Sequence, residues 1–223
     1  MQRLNIAMDG PAGAGKSTLA DRVAKALGIV HLDTGAMYRM LALKALRQGI
    51  DPGDASLVIP LLPETDVTVR FEGGVQHFFL DGEDVTGLIR TDAVSKGASD
   101  IAVIPEVRLK LVEIQRRIAR EMDVVMDGRD ITTYVLKESP HKFFVTASPE
   151  VRAKRRLAQI REQDPNAAAT LEEIMTAMEA RDKTDAGRAF APLQQAPDAV
   201  LVDTTHGSVE DGVRFILDAI RGR

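Results

Sequence analysis

A glycine-rich segment near the N-terminus has the residue types and the spacing of a phosphate-binding loop. The residues from Gly10 to Ser17 match the pattern G-x-x-x-x-G-K-[ST], between a short apolar run and a helical pattern. The glycines let the backbone turn its N–H groups toward phosphate oxygens, and the helix N-terminus that follows favours negative charge. Lys16 is expected to reach the β- and γ-phosphates of a nucleoside triphosphate, and the hydroxyl of Ser17 to ligate Mg²⁺. The pattern predicts a triphosphate site and leaves the acceptor open.

Arginines lie near the ends of other predicted elements, where an open α/β sheet gathers its ligands. Arg39 lies early in the helix after the second predicted strand, and Arg129 follows the third predicted strand. Arg181 and Arg188 lie at or beyond the end of a helix that is predicted over 171–182. Each guanidinium suits bidentate recognition of a phosphate. For each one alone, a solvated residue or a surface salt bridge is the alternative.

A basic cluster marks the helix after the fourth predicted strand. Positions 152 to 156 carry four basic groups and no acidic one, and Arg161 follows one turn later. One interpretation is a solvated basic face. The other, which we favour, is a mobile lid over about 149–165 that closes positive charge over the transferring phosphoryl group and excludes water. The residues expected to take part in catalysis are Lys16, Arg155, Arg156 and Arg161.

Short apolar runs that alternate with helical patterns predict the fold. We expect an α/β fold of the P-loop NTPase class, with a five-stranded parallel sheet covered by helices on both faces. A β-rich hairpin at about 64–85 interrupts this order as an insertion, and its paired glycines at 73 and 74 indicate a tight turn. The predicted strands span 4–8, 29–32, 124–126, 143–145 and 199–202. The predicted helices span 16–27, 34–48, 91–102, 105–121, 149–163, 171–182 and 209–220.

Composition excludes several classes of function. The chain of 223 residues has no cysteine, which rules out disulfides, thiolate catalysis and zinc–sulfur sites. A net charge of −4 argues against an open surface for nucleic acid or membrane. No apolar run approaches the ~20 residues that span a bilayer, and the N-terminus has no apolar stretch of signal-peptide length. We expect a cytoplasmic protein without nucleic-acid or membrane partners, and its four histidines are interpreted as structural.

Taken together, these motifs resemble the signature blocks of bacterial cytidylate kinases, which are P-loop nucleoside monophosphate kinases. The blocks are the P-loop and the segments 33–39, 89–91, 127–130 and 188–193, and they occur in the order of that family. The insertion resembles the extra segment that separates these enzymes from adenylate kinases. The resemblance covers essentially the whole chain and is far more specific than the P-loop alone.

The resemblance implies a reaction and an organisation. The γ-phosphoryl group of ATP would pass to CMP or dCMP, giving ADP and CDP or dCDP in pyrimidine nucleotide metabolism, with Mg²⁺ as cofactor. We expect a monomer with a single P-loop kinase domain over 1–223. Its core would span about 1–33, 86–148 and 166–223. The monophosphate-binding region would span about 34–100 and contain the insertion, and the lid would follow at about 149–165.

Site roles are carried over from the family by position. The CMP phosphate would bind Arg39, Arg129 and Arg188. The ribose would contact Arg181 and Asp185. The base would be read by Thr34, Ser99, Arg108 and Asp130. The ATP-binding residues would be Gly10, Pro11, Ala12, Gly13, Ala14, Gly15, Lys16, Ser17 and Thr18.

The chemistry of the base is consistent with these roles. Cytosine presents an amino donor at N4, which the carboxylate of Asp130 can accept, and ring acceptors that Arg108 can satisfy. Uracil has a carbonyl at the corresponding position, so Asp130 would face it without a hydrogen bond. Selectivity for cytosine is therefore expected from one residue.

The chain departs from the family pattern mainly in the loop after the third strand. Thr132-Thr133 stands where Gly-Thr is expected, and 136–138 lacks the usual aromatic–proline ending. Ala12 stands where many relatives have serine. The rival enzyme is another small P-loop kinase, such as one for shikimate, which would need a carboxylate base for which Asp130 is the obvious candidate. A nucleotide-binding switch is the rival from another class, and it predicts slow hydrolysis without an acceptor.

Overall fold

The computed structural model describes residues 3–222, which form two compact units. The first unit contains residues 3–5 and Ala24–Asp127, and the second contains Ile6–Val23 and residues 128–222. The predicted boundaries of core, monophosphate-binding region and lid stay a prediction. None of the helices in residues 3–222 combines the length and the hydropathy needed to cross a bilayer.

The predicted five-stranded parallel sheet is confirmed. Its strands are β1 (Asn5–Asp9), β2 (Val30–Asp33), β6 (Val124–Gly128), β7 (His141–Thr146) and β8 (Val200–Asp203). Their order in the sheet is β2-β6-β1-β7-β8. Nearly every residue of β1 and all residues of β6 are buried, as expected for strands with both faces covered. Each strand end lies within two residues of the predicted one, which is the usual uncertainty at element ends.

The seven predicted helices are also present, together with the short helix α3, which was not predicted, and local signals explain where several of them begin. The helices are α1 (Lys16–Leu27), α2 (Thr34–Arg47), α3 (Ala55–Val58), α4 (Asp92–Ile101), α5 (Pro105–Glu121), α6 (Pro149–Gln163), α7 (Leu171–Gly187) and α8 (Val209–Arg221). The side chain of Asp33 caps α2 by accepting from the backbone N of Ala36 at 3.0 Å. Pro105 occupies the first position of α5, where its missing N–H has no cost. Thr170 and Glu173 form a capping box at the start of α7.

The predicted insertion is a three-stranded antiparallel sheet in the first unit. Its strands are β3 (Val67–Glu72), β4 (Val75–Leu80) and β5 (Glu83–Asp84). Gly73 and Gly74 both have positive φ, as a tight two-residue hairpin turn requires. The insertion is fastened to α2 by ion pairs from Lys44 to Asp81 and from Arg47 to Glu83, both at 2.6 Å.

Three segments differ from the sequence prediction. The chain between α2 and β3 holds α3, which the Asp54 side chain caps, and a 3₁₀ helix over Ile59–Glu64, although no element was predicted there. Ile131–Val135 forms a π-helical turn. The predicted end of α7 at 182 is wrong, because the helix continues to Gly187. The last turn of α7 carries Asp185, which forms a long-range ion pair with Arg129 at 2.9 Å.

Candidate functional site

The glycine-rich loop of the second unit has the conformation that the motif predicts, since it follows β1 directly and opens α1. Gly10 has a φ of +147°, and a Cβ atom there would lie 1.9 Å from the carbonyl oxygen of Val145. Gly13 and Gly15 also have positive φ, at +73° and +88°. Any larger residue at Gly10 would collide with the backbone of β7, so the close approach requires glycine.

Side chains from distant parts of the second unit hold the carbonyls of this loop. Nη1 of Arg152 donates to the carbonyl oxygen of Ala12 at 3.1 Å, and Oγ1 of Thr204 donates to that of Ala14 at 2.9 Å. C=O and N–H point in opposite directions across a trans peptide. The N–H groups of Gly13 and Gly15 therefore point away from the side chains that bind the carbonyls of Ala12 and Ala14. The loop is thus held in an orientation that suits anion binding.

The charged and hydroxyl groups of the loop are close to one another in sequence and in space. Nζ of Lys16 donates to the carbonyl oxygen of Pro11 at 2.7 Å, so the ammonium lies over the loop. Lys16 is buried, while Ser17 and Thr18 are exposed in the first turn of α1. A single hydroxyl fits Mg²⁺, because this ion keeps several waters and binds one or two protein ligands together with substrate phosphates.

The basic helix α6 supports the loop with its first turns. Arg152 is buried and forms an ion pair with Asp182 at 2.6 Å, so a solvated basic face is the wrong interpretation for this residue. Arg155 donates to Oγ1 and to the carbonyl oxygen of Thr204 at 2.9 Å and 2.7 Å. Arg156 is half-buried and Arg161 is exposed. Closure of this helix over a substrate and the catalytic roles of its arginines stay predictions.

The carboxylate of Asp185 pairs with two of the predicted acceptor arginines of the second unit, Arg129 and Arg188. Nε of Arg129 donates to Oδ2 of Asp185 at 2.9 Å, and Nη2 of Arg188 lies 3.6 Å from Oδ1. Burial by itself would raise the pKa of Asp185, but the charges of Arg129, Arg188 and Arg181 outweigh it and hold the pKa below its ordinary value. The exposed fraction is 19% for Arg129 and 5% for Arg188, so neither pair is a surface salt bridge.

Asp130 and its neighbours form a second buried acidic group in the same unit. Asp130 is 4% exposed and immediately precedes the π-helical turn. The carboxylate of Asp9 accepts from the backbone N of Ile131 at 2.9 Å and from that of Thr132 at 2.7 Å. The pKa of Asp9 is raised from 3.8 to about 6. Burial is the largest cause and the charge of Asp130 adds to it, while hydrogen bonds from Thr132 and Ile131 act in the opposite direction.

The first unit has its own group of predicted residues at the end of β2. Asp33 accepts from Nη2 of Arg39 at 2.6 Å, which holds the guanidinium against the start of α2. Oγ1 of Thr34 donates to the carbonyl oxygen of Asp127 at 2.8 Å. Nε2 of His31 lies 2.7 Å from Oδ1 of Asp127, in keeping with the structural role expected of this histidine.

Two further predicted base-reading residues lie in the first unit. Arg108 is 1% exposed on α5, where it donates to the carbonyl oxygen of Ala102 at 3.1 Å. Its guanidinium lies 5.6 Å from the ring centroid of Tyr38. Ser99 is half-buried on α4. Their contacts with a base stay predictions.

Sequence reasoning missed several residues that support the site. Asp9 could have been noticed, because it ends a buried strand directly before the glycine-rich loop. Thr204 had no such signal, since it lies 190 positions from Ala14, whose carbonyl it holds. Gln76 of the insertion likewise accepts from the backbone N of Asp33 at 2.9 Å across 43 positions.

Comparison with known proteins places the chain among kinases. The family described as "Cytidylate kinase" matches residues 6–222. A cytidylate kinase of Caldicellulosiruptor bescii is 45% identical over 220 residues, covering 98% of this chain and 96% of the relative. A cytidylate kinase of Symbiobacterium thermophilum is 46% identical over 217 residues, covering 97% of this chain and 95% of the relative.

A solved structure supports the fold independently. Shikimate kinase from Bacteroides thetaiotaomicron superposes with a TM-score of 0.50 at 14% identity, covering 98% of each chain. At this identity the likeness shows the fold alone. The family match and the near-complete coverage by relatives carry the assignment further: the chain belongs to the cytidylate kinase family.

Proposed function

We propose that this protein transfers the γ-phosphoryl group of ATP to CMP or dCMP, giving ADP and CDP or dCDP. The observation that carries the proposal is the buried group in which Asp185 holds Arg129 and Arg188. Guanidinium groups that are oriented in advance by a carboxylate suit a phosphate-bearing acceptor. A nucleotide-binding switch would have no use for them.

The proposed site combines the nucleotide contacts that the family resemblance implies. ATP would bind residues 10–18. Each of the proposed CMP contacts is a prediction that mutations test. The proposed CMP contacts are Thr34, Arg39, Ser99, Arg108, Arg129, Asp130, Arg181, Asp185 and Arg188.

The proposed mechanism needs positioning and charge neutralisation rather than a general base. The acceptor phosphate is largely ionised at neutral pH, since the second pKa of a phosphate monoester is about 6. Lys16 would neutralise charge on the transferring group, and the N–H groups of the loop would hold the phosphates. Arg155, Arg156 and Arg161 would add positive charge when α6 closes and excludes water.

Mg²⁺ is the proposed cofactor, and the hydroxyl of Ser17 is the residue that would hold it. When bound, the ion would neutralise charge on the β- and γ-phosphates. We further propose that the enzyme works in the cytoplasm as a monomer on free nucleotides, without nucleic-acid or membrane partners.

A coupled assay with ATP, Mg²⁺ and a panel of acceptors tests the proposal. CMP and dCMP should be phosphorylated, while UMP should be poor and AMP and shikimate inactive. Lys16→Ala should lower kcat with CMP by at least ~10²-fold, because it removes a charge that stabilises the transition state. Lys25→Ala is the control, since Lys25 is exposed in the last turn of the same helix.

Three results would contradict the proposal. Turnover of shikimate with no turnover of CMP would assign the chain to a hydroxyl acceptor. Slow ATP hydrolysis without any acceptor would favour the nucleotide-binding switch. Near-normal activity of Lys16→Ala would show that the glycine-rich loop is not the donor site.

A further inference from the structure

The carboxylate of Asp9 is a buried junction between two loops of the second unit. Besides the two backbone bonds from Ile131 and Thr132, its Oδ2 accepts from Oγ1 of Thr132 at 2.6 Å. Asp9 is 0% exposed and Thr132 is 1% exposed, so the contact is shielded from water. The same residue ends β1 and immediately precedes Gly10. One carboxylate thus holds the start of the π-helical turn against the start of the glycine-rich loop.

We propose that Asp9 and Thr132 are positioning residues for the acceptor nucleotide, which act by fixing the segment that carries Arg129 and Asp130. The inference rests on the function proposed above, and it deepens that function by naming what aligns two of the acceptor contacts. Arg129 and Asp130 directly precede the first residue that Asp9 holds. A displacement of the turn would therefore move both contacts together.

The bond from Oγ1 is the one contact of this junction that depends on the side chain of Thr132. Any residue other than proline would supply the backbone N–H, but the third bond needs a side-chain donor, such as the hydroxyl of threonine or serine. A buried carboxylate needs such donors, because burial without compensating hydrogen bonds is unfavourable. The need is larger here, since the like charge of Asp130 is close enough to act on Asp9.

The adjacent threonine provides a matched control. Thr133 lies in the same turn, and within the described part of the chain no group forms a hydrogen bond with its buried Oγ1. Thr132→Val and Thr133→Val make the same chemical change one position apart. The first removes a hydrogen bond to a carboxylate, and the second removes none.

Steady-state kinetics of the full-length enzyme test the inference. Thr132→Val should raise the KM for CMP by about tenfold, since a hydrogen bond to a charged group is strong, and should leave the KM for ATP within about twofold. Thr132→Ser keeps the hydroxyl and should restore the KM for CMP to within about threefold of the wild-type value. Thr133→Val should match the wild type in both constants.

The outcomes separate this inference from the proposed function. Equal effects of Thr132→Val and Thr133→Val would overturn the inference, as would an equal rise in both KM values or a failure of Thr132→Ser to restore the KM for CMP. If Thr132→Val does not fold, Thr132→Ala loses the hydroxyl without altering the shape of the turn and carries the same expectation. A wild-type enzyme that does not phosphorylate CMP would refute the proposed function before any variant is compared.

Discussion

Asp9 and Asp185 are both buried carboxylates of the second unit, yet their surroundings shift their pKa values in opposite directions. Asp9 is held by backbone N–H groups and a hydroxyl, and burial raises its pKa to about 6. Burial acts on Asp185 as well, but three arginines outweigh it and lower the pKa. Neutral donors thus leave part of the desolvation cost uncompensated at Asp9, whereas cationic donors more than offset it at Asp185.

The difference suggests different tasks for the two residues. Asp185 stays charged and keeps Arg129 and Arg188 oriented before a substrate arrives. Asp9 joins two loops, and its charge is the less stable one near neutral pH. The proposed acceptor site would therefore combine the ion pairs of Asp185, which persist near neutral pH, with the contact between two loops at Asp9, which is sensitive to protonation.

The largest expected effect comes from removing the ionic group. Asp185→Asn leaves Arg129 and Arg188 without their carboxylate, and truncating one partner of a buried charge pair costs ~2–5 kcal/mol. We expect kcat/KM for CMP to fall by about 10²-fold or more, while the KM for ATP changes little. Steady-state kinetics with each substrate varied in turn measure the two effects.

Asp198→Asn is the matched control for that experiment. Asp198 is 62% exposed and pairs with the buried Lys142 at 2.7 Å in the same unit, so the variant also removes a carboxylate partner from a buried cation. It should leave both KM values unchanged. Equal losses for ATP and CMP in Asp185→Asn would show that Asp185 supports the fold rather than the acceptor contacts.

The next effect, on stability, follows from the raised pKa of Asp9. Its pKa is about 6 in the folded chain against an ordinary 3.8, so between these values the folded state keeps a proton that the unfolded chain has lost. The free energy of unfolding therefore falls as pH rises from about 4 to about 6, by about 3 kcal/mol from this group. Urea unfolding between pH 4 and 6 measures this change. The free energy of unfolding of the wild type should fall by that amount relative to the value for Asp9→Asn.

Asp185 supplies the contrast within the same measurement. Its pKa is lowered, so its stabilising contribution is complete above 3.8 and is lost only as pH falls through the folded value. Between pH 4 and 7, the free energy of unfolding of Asp185→Asn should consequently change with pH in the same way as that of the wild type. If the free energy of unfolding of Asp9→Asn also changed with pH as the wild type does, the protonation of Asp9 would not be linked to folding.

The two aspartates also show how far the sequence alone can predict this molecule. The glycine-rich loop and the hairpin turn are local patterns, so spacing and residue type were sufficient to predict them. The ionic group around Asp185 was predicted only as separate residues of unknown pairing. Arg129 lies 56 positions from Asp185, and Asp9 lies 123 positions from Thr132, so tertiary structure alone brings them together. The π-helical turn escaped prediction for the same reason, because its first two residues bond to Asp9.

The smallest expected effect is that of Asp130→Asn on the choice between CMP and UMP. The charge of Asp130 helps to raise the pKa of Asp9, and Asp130 is also the proposed acceptor for the cytosine amino group. Asp130→Asn removes the charge and offers an amide that can present either a donor or an acceptor. Activity with CMP should fall while activity with UMP holds or rises. The ratio of the two kcat/KM values should change by at least about tenfold, as expected for one polar contact to a base edge.

The pH at which the ratio is measured decides between a direct and an indirect role. At pH 8, Asp9 is ionised in both proteins, because its pKa is about 6 in the wild type and falls when the neighbouring charge is removed. A tenfold change at pH 8 therefore reports contact between Asp130 and the base. A change confined to pH values below about 6 would instead mean that Asp130 acts through the protonation of Asp9. A uniform loss with both substrates at every pH would assign Asp130 to the phosphates or to Mg²⁺ rather than to the base.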